Sequence, residues 1–185
     1  MFSYLDRPSR SISVTVGGGY HFTSDVSGRK VEYYVEGHGV CMVFVRRGDR
    51  WHCVAALGHQ SHNVPFPEGF PKPDPAAGKV VFCWNDTNGD GYQQPDELQW
   101  YNVGQPQALY QGKMWGYRCD RRLAWYHSGL AFQPARFTAE GAPVYDLSRV
   151  ERLPGELGQR GHVGDIYKTR FGYVLLAAKP NWISM

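Results

Sequence analysis

A chain of 185 residues with 42% hydrophobic and 20% charged residues has globular composition and is long enough for one sizeable core. Its formal charge is only +3, and its basic residues sit beside acids in "RRGDR" and "RCDRR", which argues against a nucleic-acid-binding stripe. No apolar run approaches the ~18 residues of a membrane span, and "MFSYLDRPSR" lacks the apolar stretch of a signal peptide, so the chain is either cytosolic or exported by a signal it does not carry.

Aromatic residues make up 15% of the chain, with 22 glycines and 12 prolines. Abundant aromatics between frequent turn formers favour an all-β fold. The first strand-like run is "SISVTV" (11–16), followed by "GGGYHF" (17–22). The latter has neither the lysine nor the helix start that phosphate binding needs, and reads as a bend or bulge in a strand. Three further runs follow: "KVEYYVE" (30–36), "GVCMVFVR" (39–46) and "WHCVAAL" (51–57).

The last two are joined by "RRGDRW", whose Gly-Asp pair is what a tight hairpin prefers, so the RGD tripeptide (Arg47 to Asp49) is read as a turn and not as an integrin ligand. If Gly48 and Asp49 are its two central residues, Cys53 falls opposite Phe44 and points to the other face from Cys41. Those two cysteines should then not bond. Cys41, Cys53, Cys83 and Cys119 all lie in strand-like runs without C-x-x-C spacing, which argues against a zinc ribbon and favours small buried sheet residues, one disulfide being left open.

"HQSH" sets His59 and His62 three apart after a strand end. As zinc ligands they would need a third partner such as His52 or His38, which nothing fixes, so they are read as loop residues. "PFPEGFPKPDPAAG" (65–78) carries five prolines and cannot be a central strand. It reads as an extended connection across a surface. A linker between two domains is disfavoured because strand density is similar on both sides.

"GKVVFCW" (78–84) shows no helical period and reads as a buried strand. It runs into "DTNGDGYQQPDE" (86–97), which satisfies the calcium-loop pattern D-x-[DN]-x-[DN]-G-x5-E. Asp86, Asn88, Asp90, Tyr92, Gln94 and Glu97 occupy the six ligand positions, Tyr92 through its backbone carbonyl and Glu97 in the bidentate place, and Gly91 fills the glycine slot. An all-oxygen set of this kind selects Ca2+ over magnesium. No incoming helix can be drawn, and after one helical turn from Pro95 "LQWYNVGQPQ" breaks on glycine and proline. The inference is a lone calcium loop in a β-structure, a staple and not a switch. Asn85 opens the sequon "NDT", which need not be modified.

Beyond the loop, strands are expected in "KMWGYRC" (113–119), "RLAWYHS" (122–128), "ARFTAEGAPVYD" (135–146), "GDIYKT" (164–169) and "GYVLLAA" (172–178), with turns in "CDRR", "AEGAP" and "KTRFGY". "DLSRVERLPGEL" has room for one short helical turn before Pro154. No G-x-S-x-G, H-E-x-x-H or Gly-rich phosphate loop occurs.

Strand pairs ending in small-residue corners ("WHCVAALGHQ", "GYVLLAAKPN") alternate with aromatic-rich strands opening on glycine ("GKVVFCWND", "GKMWGYRCD"). This grammar resembles the blades of secreted bacterial β-propeller proteins, in which "VFCWNDTNGDGYQQPDELQW" would be a blade hairpin with a calcium loop at its tip, and "FTAEGAPVYDLSRVERL" looks like the outer part of a following blade. The resemblance implies that residues 1–185 form a single β-propeller or propeller-fragment domain. Blades of roughly 40 to 50 residues, each a four-stranded antiparallel sheet, would number about four, the lower limit for a closed ring. The function it implies is a calcium-stabilised, non-catalytic scaffold, extracellular or periplasmic, presenting an aromatic-rich face to a carbohydrate or protein partner.

The alternative is part of a propeller enzyme, either a glycan hydrolase or lyase, which would need paired carboxylates, or a quinone-dependent dehydrogenase. The tryptophan-docking repeat of the latter is only partly matched by "YQGKMW". A complete β-sandwich binding module is the third reading.

Overall fold

The computed structural model describes residues 20–38, 40–59, 69–71, 79–104, 118–127, 130–152, 166–169 and 172–175. Within them the regular structure is strand and short 3-10 turn, with no α-helix, and no helix is long and apolar enough to cross a membrane. The all-β expectation is met.

Period-two alternation builds one antiparallel meander from β1 (Tyr20–Val26), β2 (Arg29–His38), β3 (Val40–Arg47), β4 (Arg50–His59), β5 (Lys79–Asn85) and β6 (Leu98–Gly104). Tyr33, Val35, Cys41, Val43, Val45, Leu57, Val81 and Cys83 turn to one face, and Phe44, Cys53, Ala56, Phe82, Trp84 and Leu98 to the other. Such alternation lets each strand bury side chains on both sides of the sheet, where a fully buried large side chain contributes about 1.5–3 kcal/mol.

Register follows from the turns. Gly48 and Asp49 form the β3–β4 turn, and Phe44 lies opposite Cys53 as the sequence requires. Cys41 and Cys53 therefore face opposite ways, and all four cysteines are free, three of them buried. Ala55 pairs with Val43 while Cys53 pairs with Phe44, so Val54 is the extra residue of a bulge. That bulge brings both Val54 and Ala55 to the first face. No such irregularity occurs in β1, which takes in Tyr20 to Phe22 of "GGGYHF" and pairs without interruption from Tyr20 to Val26. The run "SISVTV" and the glycines 17–19 lie outside the described residues.

The six strands of this sheet depart from the expected blades of four. The cause is pairing across the proline-rich connection: Leu57 of β4 lies opposite Cys83 of β5, so what reads as the end of one unit and the start of the next is a single hydrogen-bonded sheet. Of the connection itself, residues 69–71 are described. Phe70 packs on the second face, and the Trp100 indole donates to the Pro71 carbonyl at 3.0 Å, so here the connection crosses a surface as expected.

A second, four-stranded sheet contains β7 (Arg118–Cys119), β8 (Trp125–His127), β9 (Leu130–Phe132) and β12 (Glu151–Arg152) in the order β12-β9-β8-β7. Between β9 and β12 the chain makes the hairpin of β10 (Pro134–Phe137) and β11 (Pro143–Tyr145) and a 3-10 turn at Leu147–Arg149, the one short turn expected before Pro154. Hairpin β13 (Ile166–Thr169) with β14 (Gly172–Leu175) follows.

Leu123, Trp125, Leu130, Phe132 and Tyr145 belong to the same buried cluster as the first face of the meander, so segments on both sides of the proline-rich connection share a core. Buried Tyr145 anchors the junction. Its hydroxyl donates to the Leu123 carbonyl at 2.7 Å and accepts from the Trp125 indole at 2.8 Å, which meets the requirement that a buried hydroxyl be partnered.

Candidate metal centre

Strands β5 and β6 are a hairpin, and the calcium-type loop is its tip. The last rung pairs Trp84 with Leu98, and the Asp86 amide extends β5 by donating to the Val54 carbonyl at 2.9 Å. At the other end Pro95–Glu97 forms a single 3-10 turn with proline at its start, closed by the Glu97 amide on the Gln94 carbonyl at 3.1 Å. The 3-10 turn leads directly into β6, so the helical reading after Pro95 ends after three residues. Gly91, in the sharp-turn slot, has φ +75°, a conformation that favours glycine.

The six ligand positions fall into a buried base and an exposed rim. Asp86 is 1% exposed and Glu97 4%; Asn88 and Asp90 are exposed at the tip. Tyr92 is 46% exposed, in keeping with a position that offers its backbone alone. Asp86 Oδ1 accepts from the Gly89 amide at 2.9 Å, whereas Asp86 Oδ2 is buried with no hydrogen-bond partner. Asn88 Oδ1 accepts from the Asp90 amide at 2.9 Å, and Asp90 Oδ1 from the Tyr92 amide at 2.7 Å. Asp90 Oδ2 accepts from the side-chain amides of Asn88 at 3.1 Å and Gln94 at 2.7 Å, which leaves Gln94 Oε1 buried and unpartnered.

Glu97 closes the loop. Its Oε1 accepts from the Thr87 amide at 2.7 Å and the Thr87 hydroxyl at 3.0 Å, and its Oε2 accepts from the Trp84 indole at 3.0 Å. In this arrangement its two oxygens serve N–H and O–H donors, and among the described residues no three His, Cys, Asp or Glu side chains converge as a metal-holding group. The carboxylates of Asp86, Asp90 and Glu97 thus stand in one loop without converging. Like charges separate, and each takes the nearest backbone donor.

Burial pushes the Asp86 carboxyl above the usual carboxylate range, the Gly91 amide opposes this, and the neighbouring Glu97 carboxylate adds to the rise. Asp90 is held below that range, chiefly by the Tyr92 amide. The buried atoms of the loop without a hydrogen-bond partner are Asp86 Oδ2, Gln94 Oε1 and the Gln93 side-chain nitrogen; the two oxygens are what a hard divalent cation would take, and leaving such groups unpaired costs about 1–3 kcal/mol each. Turning over the Gln94 amide alone, whose Oε1 has no partner to lose, would exchange its N–H donor on Asp90 for a carbonyl oxygen, the ligand type calcium takes; the Asn88 amide is fixed by the Asp90 N–H.

The other candidates resolve individually. Arg47 of the RGD tripeptide is engaged by Glu140 at 2.7 Å and by the Gly89 carbonyl at 3.2 Å, and Gly48 and Asp49 are turn residues, so the tripeptide is not presented as a free loop. His59 ends β4 opposite Val81 and His62 lies outside the described residues. Burial, with the charges of Arg47 and Arg50, lowers His52 below the ordinary imidazole value. Burial also pushes the Cys53 thiol up to about 12, and raises Cys41 and Cys83 too, which makes them poor nucleophiles.

The sequon nitrogen of Asn85 is buried and donates to the Tyr145 carbonyl at 3.0 Å, so a glycan there is incompatible with this packing. The sequence reading missed Trp84, Thr87, Arg47 and Glu140 as neighbours of the loop. Only Trp84, two residues before it, and Thr87, its own second residue, carried a local signal.

Comparison of the chain with protein-family models, with curated proteins and with solved structures gives no match.

Proposed function

We propose that this chain is a calcium-stapled, all-β binding module that works where calcium is abundant, outside the cell or in the periplasm. The observation that carries this reading is the buried Asp86 carboxylate with a donor-free Oδ2, inside a loop whose twelve-residue pattern is that of a calcium site. A lone loop of this kind belongs with the ~10⁻⁴ to 10⁻³ M sites of extracellular modules, filled outside a cell and empty in cytosol. Four free cysteines, with Cys119 partly exposed, run against an oxidising compartment; burial shields the other three from oxidants.

The binding role is assigned to the second face of the meander, where Tyr34, Trp51 and Trp100 are partly buried around Phe44 and Phe82. The exposed ion pair of Glu32 with Arg46 at 3.1 Å, beside His21, which meets Trp51 ring to ring at 5.4 Å, adds polar groups to the aromatic ones. That mixture suits a carbohydrate, or a protein partner of similar polarity.

For the architecture, the four-stranded sheet supports the propeller reading. The six-stranded sheet and the core shared between the two sheets favour a sandwich-like module. Thermal melting in calcium or chelator, for the parent and for Asp90→Ala, tests the calcium reading. At about a hundredfold excess over its dissociation constant the ion should add roughly 2.7 kcal/mol to the parent and far less to the variant. An equal shift in both, or none in the parent, would leave the loop as an acidic turn.

A further inference from the structure

The calcium-type pattern is local to residues 86–97, yet the loop is contacted by a residue far along the chain. Arg47, at the end of β3, donates to the Gly89 carbonyl at 3.2 Å and pairs with Glu140 Oε2 at 2.7 Å. A methyl placed on Gly89 would lie 4.0 Å from both Arg47 Nη2 and Glu140 Oε2, so the Glu140 carboxylate lies beside the loop and is linked to it through Arg47.

Glu140 is held in place from both sides. Arg29 donates to the carbonyl of Ala139, and the Tyr33 hydroxyl donates to the Gly141 carbonyl at 2.6 Å. The β10–β11 turn is thereby clamped to β2, and its one acidic side chain is delivered to the loop. Gly141 itself has φ +90°, and a Cβ there would come within 2.7 Å of Val31 Cγ2, so this close docking requires glycine.

Electrostatics gives the arrangement a role. An uncompensated guanidinium beside a divalent cation opposes binding, and Arg47 reaches the loop at the Gly89 carbonyl. Glu140 offsets that charge and at the same time fixes the side chain that holds Gly89. We propose that Arg47 and Glu140 are positioning residues for the calcium loop, so that ion affinity depends on the docked β10–β11 turn and the loop staples two distant parts of the chain. This inference rests on the calcium reading above.

Calcium titration by calorimetry at low ionic strength, with the full chain as parent, Glu140→Gln, Glu140→Asp and Asp90→Ala, tests it. The parent should bind one ion and Asp90→Ala none. Glu140→Gln should bind about threefold to tenfold more weakly, the order expected for a unit charge some ångströms from a divalent ion in a high-dielectric setting, with Glu140→Asp intermediate. Its melting temperature in chelator should equal that of the parent.

Parent-like affinity in Glu140→Gln, with binding abolished in Asp90→Ala, would overturn the coupling and leave the loop reading intact. A Glu140→Gln variant that melts earlier in chelator and binds with parent affinity once folded would show a merely structural turn and overturn it too. No calcium binding by the parent would remove both readings.

Discussion

Asn85 and Asp86 are neighbours at the end of β5, and each is 1% exposed, yet their side chains are treated in opposite ways. The Asn85 amide is paired in both directions with the backbone of Tyr145, donating to its carbonyl at 3.0 Å and accepting from its amide at 2.8 Å. It acts as one more rung between the meander and the β10–β11 hairpin. The Asp86 carboxylate has one oxygen on the Gly89 amide, and its other oxygen is buried with no donor in hydrogen-bond geometry, the Gly91 amide acting on the carboxylate without forming such a bond. A fully partnered buried polar group holds a fold together, whereas a buried carboxylate with a donor-free oxygen is expensive unless something cationic meets it. On the calcium reading, the contrast separates structural polarity from polarity directed at a ligand within two residues.

Breaking the first side of that contrast should have the larger effect. Asn85→Ala removes both bonds; the Tyr145 carbonyl keeps the Gln99 amide at 3.0 Å, but the Tyr145 amide is left buried and unpaired. Denaturant unfolding should show a loss of roughly 2–4 kcal/mol, the same in calcium and in chelator. A loss that appeared only in calcium would place Asn85 in the metal site.

The second side is broken by Asp86→Asn. In chelator this variant should be at least as stable as the parent, because an unpaired buried charge has gone. In calcium it should lack the gain of about 2.7 kcal/mol expected of the parent at a hundredfold excess of ion. Paired melting curves in the two media would expose the opposite pattern, a chelator-state loss without a calcium effect.

Gly141→Ala sharpens the comparison from the far hairpin. Its φ of +90° and the 2.7 Å approach of a new Cβ to Val31 should cost about 1–3 kcal/mol, read by chemical unfolding. An unchanged midpoint would mean that the turn does not dock closely on β2.

pH separates the two neighbours without mutation. Burial raises the Asp86 carboxyl above its unfolded value, so without calcium this group favours the folded state below the ordinary carboxylate value. That contribution is lost as pH rises through the raised value. A divalent ion competes with the same proton, so the calcium-dependent rise in melting temperature should be full at neutral pH and shrink as pH falls into the carboxylate range. Asp90, held low chiefly by the Tyr92 amide, ionises at lower pH and does not set this limit. Melting temperatures across a pH series with and without calcium would show it; a calcium shift unaltered in acid would exclude Asp86 as a ligand.

The smallest effect is expected at Asp49→Ala. A side chain 93% exposed on a hairpin tip should change stability within about ±0.5 kcal/mol by thermal melting, and a larger change would give "RGD" a role that its turn does not explain.

What was legible in the sequence was local. A two-residue turn at Gly48 and Asp49 fixes its own register, which is why the pairing of Phe44 with Cys53 could be read before any coordinates. The loop pattern from Asp86 to Glu97 is equally local, and so is its place at a hairpin tip. Long-range pairings were hidden. Nothing in "WHCVAALGHQ" or "GKVVFCWND" says that β4 and β5 lie side by side across a proline-rich connection, so units expected as four-stranded blades became one six-stranded sheet. The approach of Glu140 to Gly89 depends on a turn clamped by Arg29 and Tyr33, and no spacing rule connects those residues. Asn85 read as a sequon because its use as a backbone mimic depends on Tyr145, sixty residues away.

The most direct test of a cation in this loop uses the indole already bonded to it. Trp84 Nε1 lies 3.0 Å from Glu97 Oε2, so terbium bound in the loop should be sensitised by tryptophan excitation. Saturable emission at one ion per chain is expected, displaced by calcium in preference to magnesium and absent in Asp86→Asn. No sensitised emission from the parent, or the same emission from Asp86→Asn, would contradict the calcium reading.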